Sequence, residues 1–410
     1  MNPLLPENCY MPDAEARVMP DGRLYLYGSW DIPEKADYCT KIFHCFSTDD
    51  LVNWTDHGII YRNDEEFCGI PWAPETNLYA PDAIHRDGKY YLYVCGSSHE
   101  EGVAVADSPT GPFSVAERVV HADGDSIDPA VFIDDDGQAY YLWGQFSLRG
   151  AKLNDDMKTI DEKSIVPNIL TEWEHGFHEG ASIRKRNGKY YIVYTDITRG
   201  KATCMSYAVA DSPLGPYTKG GVIVDNIYCD PETWNDHGSI NEFKGQWYVF
   251  YHRSSQKRKA CRRVCAEKIE FDENGFIKEV CQTSSGTENA LRRDLIPARA
   301  ACRMIGNCHV AQRDGREVLI SEAGGHWGIA DWAEYKYIDM LEGDAKTFFV
   351  NAKGKGKVTL KMEGDVTLSS IDVDSEEYKK FTGSIQSISG KHSFWLFVEG
   401  DMVLTDIGFN

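Results

Sequence analysis

The repeated unit of this chain is clearest in the stretch His178-Glu179-Gly180-Ala-Ser-Ile-Arg-Lys-Arg-Asn187-Gly188-Lys-Tyr-Tyr191-Ile-Val-Tyr194-Thr-Asp196. Two runs of β-forming residues flank Asn187-Gly188. This dipeptide is a strong signal for a tight β-hairpin, because both turn positions favour φ > 0. The stretch therefore predicts two antiparallel strands that are joined at Asn187-Gly188.

The same phrase occurs five times along the chain, each time with a tyrosine three residues after the turn glycine. The turn glycines are Gly22, Gly88, Gly137, Gly188 and Gly245, so the intervals are 66, 49, 51 and 57 residues. A second phrase lies between hairpins, as in 106–113 and 210–217, and it predicts a third and a fourth strand. Repeats of about 50 residues with several strands each are typical of a β-propeller. We predict five units of four strands.

Acidic residues share one position in this repeat. Nine residues before each turn glycine stand Asp13, Tyr79, Asp128, Glu179 and Asp236, the last followed by His237. In a propeller the first strand of each blade lies beside the central axis, so these positions should meet at one mouth of the channel. Bringing carboxylates together is costly unless they share protons, hydrogen bonds or a cation, which indicates a functional site. The alternative is that each acid caps its own hairpin.

Composition narrows the classes of partner. The chain has 410 residues, of which 42% are hydrophobic, with 22 tyrosines and 10 tryptophans, and aromatic rings suit both blade packing and sugar recognition. There are 43 basic against 64 acidic residues, a net charge of -21. Nucleic acid and anionic membranes both require basic patches, so we expect neither as a partner. The sequence does not indicate an oligomeric state.

The cysteines and the N-terminal segment indicate the cellular compartment in which the protein is expected. The 12 cysteines are dispersed, without a Cys-x-x-Cys pair, and Cys261-x-x-x-Cys265 lacks a second pair for zinc. Met1-Asn-Pro-Leu-Leu-Pro lacks the basic and long apolar regions of a signal peptide, and no apolar run reaches transmembrane length. We expect a reduced, cytoplasmic protein.

The repeat phrase ends before residue 285, and a different sequence pattern follows. Short alternating runs follow at 335–340, 346–352, 357–362 and 392–398, separated by turns at Gly354 and Gly364. This spacing predicts an antiparallel β-sandwich. The expected fold is therefore all-β, with a five-bladed propeller at 1–284 and a connector and sandwich at 285–410.

Glycoside hydrolysis needs two carboxyl groups across a pocket: one protonated, to release the leaving oxygen, and one ionised. Glu179 is the candidate acid, because its longer stem can reach a glycosidic oxygen, and Asp13 is the candidate base. Asp128 would act as modulator, since a third carboxylate raises the pKa of the acid. We find no nucleophilic Ser-His-Asp elbow, phosphate loop or dinucleotide-binding glycine pattern.

These pieces resemble glycoside hydrolase family 43, the five-bladed propellers that act on arabinose- and xylose-containing glycans. The matching phrases are Tyr10-Met-Pro-Asp13, Tyr79-Ala-Pro-Asp82, Ser126-Ile-Asp128-Pro, His178-Glu179-Gly180 and Asn235-Asp-His237-Gly. The resemblance implies inversion of the anomeric centre by single displacement. Asp13-Ala14 stands where the family usually has Asp-Pro, and Tyr79 stands where it usually has Trp.

The resemblance also suggests further site residues. We expect Asp31, Trp72, Tyr79, Trp143 and Arg253 to contact the substrate. Trp72 lies in an insertion at 61–78 and has an alternative role as a loop anchor, and Arg253 has the alternative of a surface salt bridge. His237 would lie on the axis beside a calcium ion or its waters, with an ordinary core histidine as the alternative. No organic cofactor is expected.

The C-terminal segment is similar to a family 6 carbohydrate-binding module in two phrases, Ala330-Asp-Trp-Ala-Glu-Tyr and Gly390-Lys-His-Ser-Phe-Trp. Trp327 and Trp332 are its candidate aromatic contacts, and a role in packing alone is the alternative. As a whole, the sequence predicts an inverting exo-glycosidase for terminal α-L-arabinofuranosyl or β-D-xylosyl units of plant-derived oligosaccharides. The alternatives are another linkage on a related fold (a β-galactan, an endo-arabinan or, with retention, a fructan) and a propeller that binds sugar without catalysis.

Overall fold

The computed structural model describes residues 1–119, 127–230, 235–322, 331–340 and 345–410. Within these ranges the chain is almost entirely β-structure, with one α-helix, α1 (Glu172–His175), and two single 3-10 turns, Glu162–Ser164 and Ala298–Ala300. No helix in the described ranges is long and apolar enough to cross a membrane. The predicted all-β class is confirmed.

Five small antiparallel sheets follow one another along the first 269 residues, each in meander order. The first contains β1 (Glu15–Val18), β2 (Leu24–Gly28), β3 (Ile42–Thr48) and β4 (Trp54–Arg62). The second contains β5 (Leu78–Arg86), β6 (Lys89–Gly96), β7 (Glu100–Ala106) and β8 (Glu117–Arg118). The third contains β9 (Ala130–Ile133), β10 (Ala139–Trp143), β11 (Ser147–Leu153) and β12 (Val166–Thr171). The fourth contains β13 (Phe177–Arg186), β14 (Lys189–Asp196), β15 (Cys204–Ala210) and β16 (Thr218–Asp225), and the fifth β17 (Ser239–Phe243), β18 (Gln246–Ser255) and β19 (Arg258–Ile269).

The sheets are arranged as the blades of a closed propeller. The first strand of each sheet contacts the first strand of the next, in the order β1, β5, β9, β13 and β17, and β17 contacts β1 again. Each of the five junctions between blades is filled by its own hydrophobic cluster: Tyr27 packs with Leu92 at the first junction, for example, and Leu24 with Phe250 at the last. The predicted five-bladed propeller is therefore confirmed.

The hairpins inside the blades use two kinds of turn. In three of them both central residues have positive φ, as expected for Asn-Gly-type turns: 50° and 76° at Asn187-Gly188, with similar values at 87–88 and 244–245. At 21–22 and 136–137 only the glycine is left-handed, and its N–H donates to a carbonyl three residues earlier. The repeat predicted the hairpin positions but not the turn type, since Asp precedes the glycine at 21–22 and 136–137 and also at 87–88.

The fifth blade differs from the prediction of four strands, because the described residues form only three strands there. The N-terminal segment lies along its outer strand β19 instead. Leu4 N–H donates to the carbonyl of Val264, and the Asn2 side chain bonds both the N–H and the carbonyl of Ala266. Residues 2–4 thus satisfy part of the edge that a fourth strand would cover.

The C-terminal region forms one connected nine-stranded sheet around a separate hydrophobic core. Its strands are β20 (Leu291–Arg292), β21 (Ile296–Pro297), β22 (Arg303–Ile305), β23 (His309–Arg313), β24 (Arg316–Ser321), β25 (Trp332–Asp339), β26 (Thr347–Met362), β27 (Val366–Ser384) and β28 (Lys391–Phe409). The predicted turn at Gly354 is wrong: β26 continues through it with a shift of register, while the turn at Gly364 is present. The domain boundary and the sandwich stay predictions, and Trp327 lies outside the described residues.

A buried ionic cluster fills the axis below the strand starts, and we call it the axial ion cluster. It consists of Glu15, Arg17, Asp82 and Arg184. Arg17 binds both carboxylate oxygens of Asp82 and reaches the carbonyl of Val131, while Arg184 binds Glu15. Arg184 also donates to Asn241, so all five inner strands contribute. The cluster therefore closes the axis beneath the channel mouth.

Candidate active site

A cavity of ≈ 260 Å³ lies at the mouth of the propeller axis, where the inner strands begin. Among the described residues it is lined by Asp13, Tyr79, Asp128, Glu179 and His237, five of the nine predicted site residues. They come from five different blades. The expectation that like-placed strand starts share one mouth is met by the geometry, because each predicted acid of the triad contacts the same space.

Backbone conformation turns these side chains toward the axis. Asp13 and Asp128 precede their strands with φ of 57° and 56°, which is uncommon for residues other than glycine. Glu179 lies in β13 where the pairing with β14 is irregular, and Gly180 after it has φ of 70°. A Cβ at Gly180 would come within 2.7 Å of the His237 ring. Glycine is thus required at this position both for its φ and for the space.

Asp13 is buried and held by a cation. Arg262 Nη1 lies 2.9 Å from Asp13 Oδ1, and the Nδ1 atoms of His237 and His252 each lie 3.7 Å from the same oxygen. Burial, the largest influence, raises the pKa of Asp13, but the Arg262 guanidinium and, after it, His237 lower it by more, so the pKa lies below its usual value. Asp13 is therefore an ionised carboxylate at neutral pH.

His252 is a neutral hydrogen-bonding partner rather than a second cation. Its Nδ1 accepts the backbone N–H of Asp13 at 3.4 Å, and its Nε2 bonds the carbonyl of Asn235. Burial, and after it Arg262, lowers the pKa of His252 to about 3. The ring orients the backbone at Asp13 and leaves charge compensation to Arg262.

Arg262 is a functional residue that the sequence did not reveal. It lies in β19 in the run Ala260-Cys-Arg-Arg-Val-Cys, where nothing marks it apart from its charge inside an otherwise buried strand. Its Nε and Nη2 donate to Asp31, each at 3.0 Å. Asp31, expected to contact substrate, does not line the cavity among the described residues; it lies beneath the site and fixes Arg262.

Glu179 and Asp128 are adjacent across the fourth and third blades. Glu179 accepts hydrogen bonds from Gln145 Nε2 at 2.7 Å and Asn235 Nδ2 at 2.5 Å. Asp128 Oδ2 accepts the Gly180 N–H at 3.0 Å. Burial, then the charge of Glu179 and then that of Asp13, raises the pKa of Asp128 well above its usual value. This pair of acids therefore retains a proton at a pH where Asp13 is ionised.

Three further residues that we expected to contact the substrate lie away from the cavity. Trp143 is fully buried and stacks on Tyr141 in the core, because β10 is covered on both faces. Arg253 is buried too, and its Nε donates to Cys265 rather than toward the axis. Trp72 lies beneath Arg118 and against the second blade, so that a Cβ at Gly102 would be 3.0 Å from its ring. Trp72 is thus the loop anchor that we considered as its alternative.

Comparison with known proteins now identifies the family. The model for glycosyl hydrolases family 43 matches residues 8–277, more than half of the chain. The chain belongs to this family. A xylosidase/arabinosidase of Thermoclostridium stercorarium is 30% identical, in an alignment that covers 97% of this chain and 96% of the relative.

Solved structures agree with this assignment. A GH43 β-xylosidase/α-arabinofuranosidase from a compost microbial metagenome, in complex with xylotriose in a calcium-free form, is 32% identical with a TM-score of 0.59. It covers 68% of this chain, and 97% of its own length is matched. A GH43 arabinoxylan arabinofuranohydrolase from Bacillus subtilis matches 100% of this chain and 97% of its own, with a TM-score of 0.58. At 22% identity it shows similarity of fold alone.

The cavity gives this family 43 protein the groups of a glycoside hydrolase. Within one closed mouth it holds an ionised carboxylate, Asp13, and a proton-retaining pair, Glu179 and Asp128. Tyr38, His99 and His178 also line the wall; His178 belongs to the His178-Glu179-Gly180 phrase, whereas no motif contained Tyr38 or His99. Tyr38 and His99 lie in connections between strands, whereas His178 lies at the start of β13.

A calcium ion beside His237 can be tested against the residues around it. Calcium takes six to eight oxygen ligands. Among the described residues, no group of three or more His, Cys, Asp or Glu side chains is arranged to hold a metal ion. The Asp13 oxygen near His237 is already bound to Arg262. The residues present do not fit direct coordination of calcium.

Proposed function

We propose that this family 43 hydrolase is an inverting exo-glycosidase that removes terminal α-L-arabinofuranosyl or β-D-xylosyl units from plant-derived oligosaccharides. The observation that carries the proposal is the convergence of Asp13, Asp128 and Glu179, from three blades, on one small cavity. Further along the same inner strands, the axial ion cluster links all five blades across the axis. A blind pocket suits the end of a chain, whereas internal cleavage needs an open groove.

Asp13 would act as the general base. Its carboxylate stays ionised beside Arg262 and can take a proton from a water molecule as the oxygen of that water attacks the anomeric carbon. Burial away from bulk water also strengthens the interaction with the developing positive charge of the sugar ring.

Glu179 would act as the general acid and donate its proton to the glycosidic oxygen as the bond to the anomeric carbon breaks. Gln145 and Asn235 hold its carboxyl group in place. Asp128, fixed by the Gly180 N–H, would help this pair of acids to retain a proton, because burial and the charge of Glu179 raise the pKa of Asp128. The products are the free sugar with inverted configuration and the shortened oligosaccharide. Asp13 then holds a proton taken from water and Glu179 has lost one, and proton exchange with solvent restores both groups.

Product analysis tests this proposal directly. Wild-type protein is incubated with xylobiose and with arabinofuranosyl-xylotriose, and the first-formed anomer is read by proton NMR before mutarotation. We expect α-xylose from the β-xyloside, because inverting enzymes hold their carboxyl groups about 6.5–9.5 Å apart with a water between them. Retained configuration, or internal cleavage products, would contradict the proposal.

The C-terminal region belongs to the same proposal as a β-sandwich of the family 6 carbohydrate-binding type. Support comes from a cavity of ≈ 300 Å³ on its sheet, lined by Trp332, Trp395 and Phe397, all half-buried. Flat apolar rings of this kind stack on sugar faces. Affinity electrophoresis through soluble xylan tests it: Trp395→Ala should migrate faster than wild type, and equal migration of both would leave packing as the role.

Two smaller points complete the proposal. A calcium ion would be held near His237 only through water, and a rise in the thermal unfolding midpoint on addition of calcium would support this proposal.

We also propose a cytoplasmic location, since no disulfide joins any of the described cysteines. Fractionation of the native host tests this point.

A further inference from the structure

Two exposed aromatic side chains belong to segments that bond His178, the residue before Glu179 in the wall of the catalytic cavity. Phe146 is 50% exposed and Trp173 is 99% exposed, the highest value among the large hydrophobic residues that the structure describes as exposed. Single exposed apolar residues are ordinary in soluble proteins. Here, however, the two belong to one hydrogen-bonded unit, and that unit is attached to the strand that carries the acid.

Phe146 is held in place by its backbone. Its N–H donates to the carbonyl of His178 at 2.7 Å, and its own carbonyl accepts the N–H of Glu172 at 2.9 Å. Its φ is 61°, a conformation that is rare for a bulky residue and that persists only where the surroundings enforce it. The ring lies edge-on to His178, with centroids 5.1 Å apart. Because His178 lines the cavity, the phenyl ring lies immediately outside it.

Trp173 is carried by the single-turn helix α1, which is anchored at both ends. Thr171 caps its start by accepting the N–H of Glu174, and Gly176 ends it with φ of 72°. The Glu172 carboxylate bonds His178 Nδ1 at 2.9 Å. The opposite side of the helix is buried through His175, whose carbonyl accepts the Tyr194 hydroxyl. A rigid support thus presents an indole ring to solvent.

The chemistry of the acid indicates what these rings face. A general acid must lie within hydrogen-bond reach of the proton acceptor, here the glycosidic oxygen. The leaving sugar therefore emerges from the cavity next to Glu179. The groups attached to the adjacent residue, His178, are those that the leaving sugar meets first. Phe146 contacts His178 through its ring, and α1 contacts it through Glu172.

We infer that Phe146 and Trp173 form the binding platform for the leaving-group part of a pentose oligosaccharide. Phe146 would receive the sugar attached to the cleaved bond, and Trp173 a sugar beyond it. Aromatic rings bind the apolar faces of pyranoses, and binding energy from remote sugars can be used to lower the barrier at the reacting bond. This inference rests on the proposed function, because it assumes that Glu179 protonates a sugar leaving group.

The experiment separates the leaving group from the rest of the substrate. kcat/KM is measured for β-D-xylosyl fluoride, whose leaving group is one atom, and for xylotriose; the corresponding arabinofuranosyl pair is used if wild type prefers it. For Phe146→Ala we expect the loss on the oligosaccharide to exceed the loss on the fluoride by about tenfold. Phe146→Tyr keeps the ring and should restore most of the oligosaccharide activity. Trp173→Ala should lower activity on xylotetraose more than on xylobiose.

Phe276→Ala is the matched control, because Phe276 is 46% exposed and lies in the segment after β19, whose next residue Ile277 bonds Tyr207 rather than His178. Its ratio of oligosaccharide to fluoride activity should equal that of wild type. If Phe146→Ala lowers both substrates equally, or neither, the inference is wrong. It is also wrong if Trp173→Ala alters only self-association in sedimentation. If wild type hydrolyses no fluoride of either pentose, the proposed function itself fails.

Discussion

Two clusters of acids lie on the same propeller axis, a few residues apart along the inner strands, yet they are built differently. In the axial ion cluster two carboxylates are matched by two arginines: Arg17 binds Asp82 and also lies 3.2 Å from Glu15, and Arg184 binds Glu15. In the catalytic cluster, Asp13 is the member of the acid triad that binds an arginine, Arg262, and Arg262 also binds Asp31 beneath the site. The lower cluster is filled with side chains, whereas the upper one opens on a cavity.

The difference shows two ways in which a protein accommodates buried acids. Pairing with arginine in the lower cluster neutralises the charge and leaves the site chemically inert. In the catalytic cluster the acids outnumber the nearby arginine, and the unpaired acids retain a proton instead of a cationic partner. A carboxyl group that still holds a proton near neutral pH can donate that proton to a substrate. The catalytic cluster can therefore transfer protons because not every one of its acids has an arginine, and not only because acids are present.

The largest expected effect comes from the one acid in the cavity that is paired. Asp13→Asn keeps the size of the side chain but removes the base, so kcat should fall about 10⁴-fold on every substrate, since water must always be activated. Steady-state assays with both oligosaccharides and aryl glycosides measure this. A loss confined to poor leaving groups would show that Asp13 is not the base.

Removing a cation from the axial ion cluster should affect stability. Arg17→Ala leaves Asp82 buried without its bidentate partner, so the free energy of unfolding should fall by about 3–5 kcal/mol. Chemical denaturation provides the measurement. Lys189→Ala, which breaks an exposed pair with Asp211, is the control and should leave the midpoint almost unchanged. An equally small change for Arg17→Ala would remove the distinction between the clusters.

Glu179→Gln separates the acid from the base. On xylobiose we expect kcat to fall about 10²–10³-fold, because the leaving oxygen is no longer protonated. Aryl glycosides with good leaving groups do not need that proton and should lose much less. The comparison of leaving groups in one variant is the measurement, and equal losses would argue against the acid role.

The smallest expected effect is a change in pH dependence. The high pKa of Asp128 arises from burial first and then from Glu179, and the interaction is mutual. Asp128→Asn removes the acid of the pair whose pKa is raised, so the site should lose its retained proton at lower pH. The alkaline limb of the kcat/KM profile should move to lower pH, accompanied by a loss of about tenfold in rate. A shift to higher pH would exclude the modulator role.

The hairpin repeat accounts for much of what could be predicted. The spacing from each turn glycine back to Asp13, Asp128 and Glu179 located the cavity, because the same number of residues before each hairpin turn places equivalent positions at one end of a propeller. Trp143 and Arg253 were placed wrongly as substrate contacts because residue type alone does not show which face of a strand is buried. Asp31 was misjudged for a related reason: its partner, Arg262, lies 231 residues further along the chain.

The order of the blades, the shared register of the acids and their chemical type were determined by the sequence itself, since local turn chemistry and strand period are encoded over a few residues. Only the tertiary structure decided which acid received an arginine, which aromatic side chains were buried and which reached the rim. Those outcomes depend on contacts between blades, and such contacts join residues that no local pattern connects.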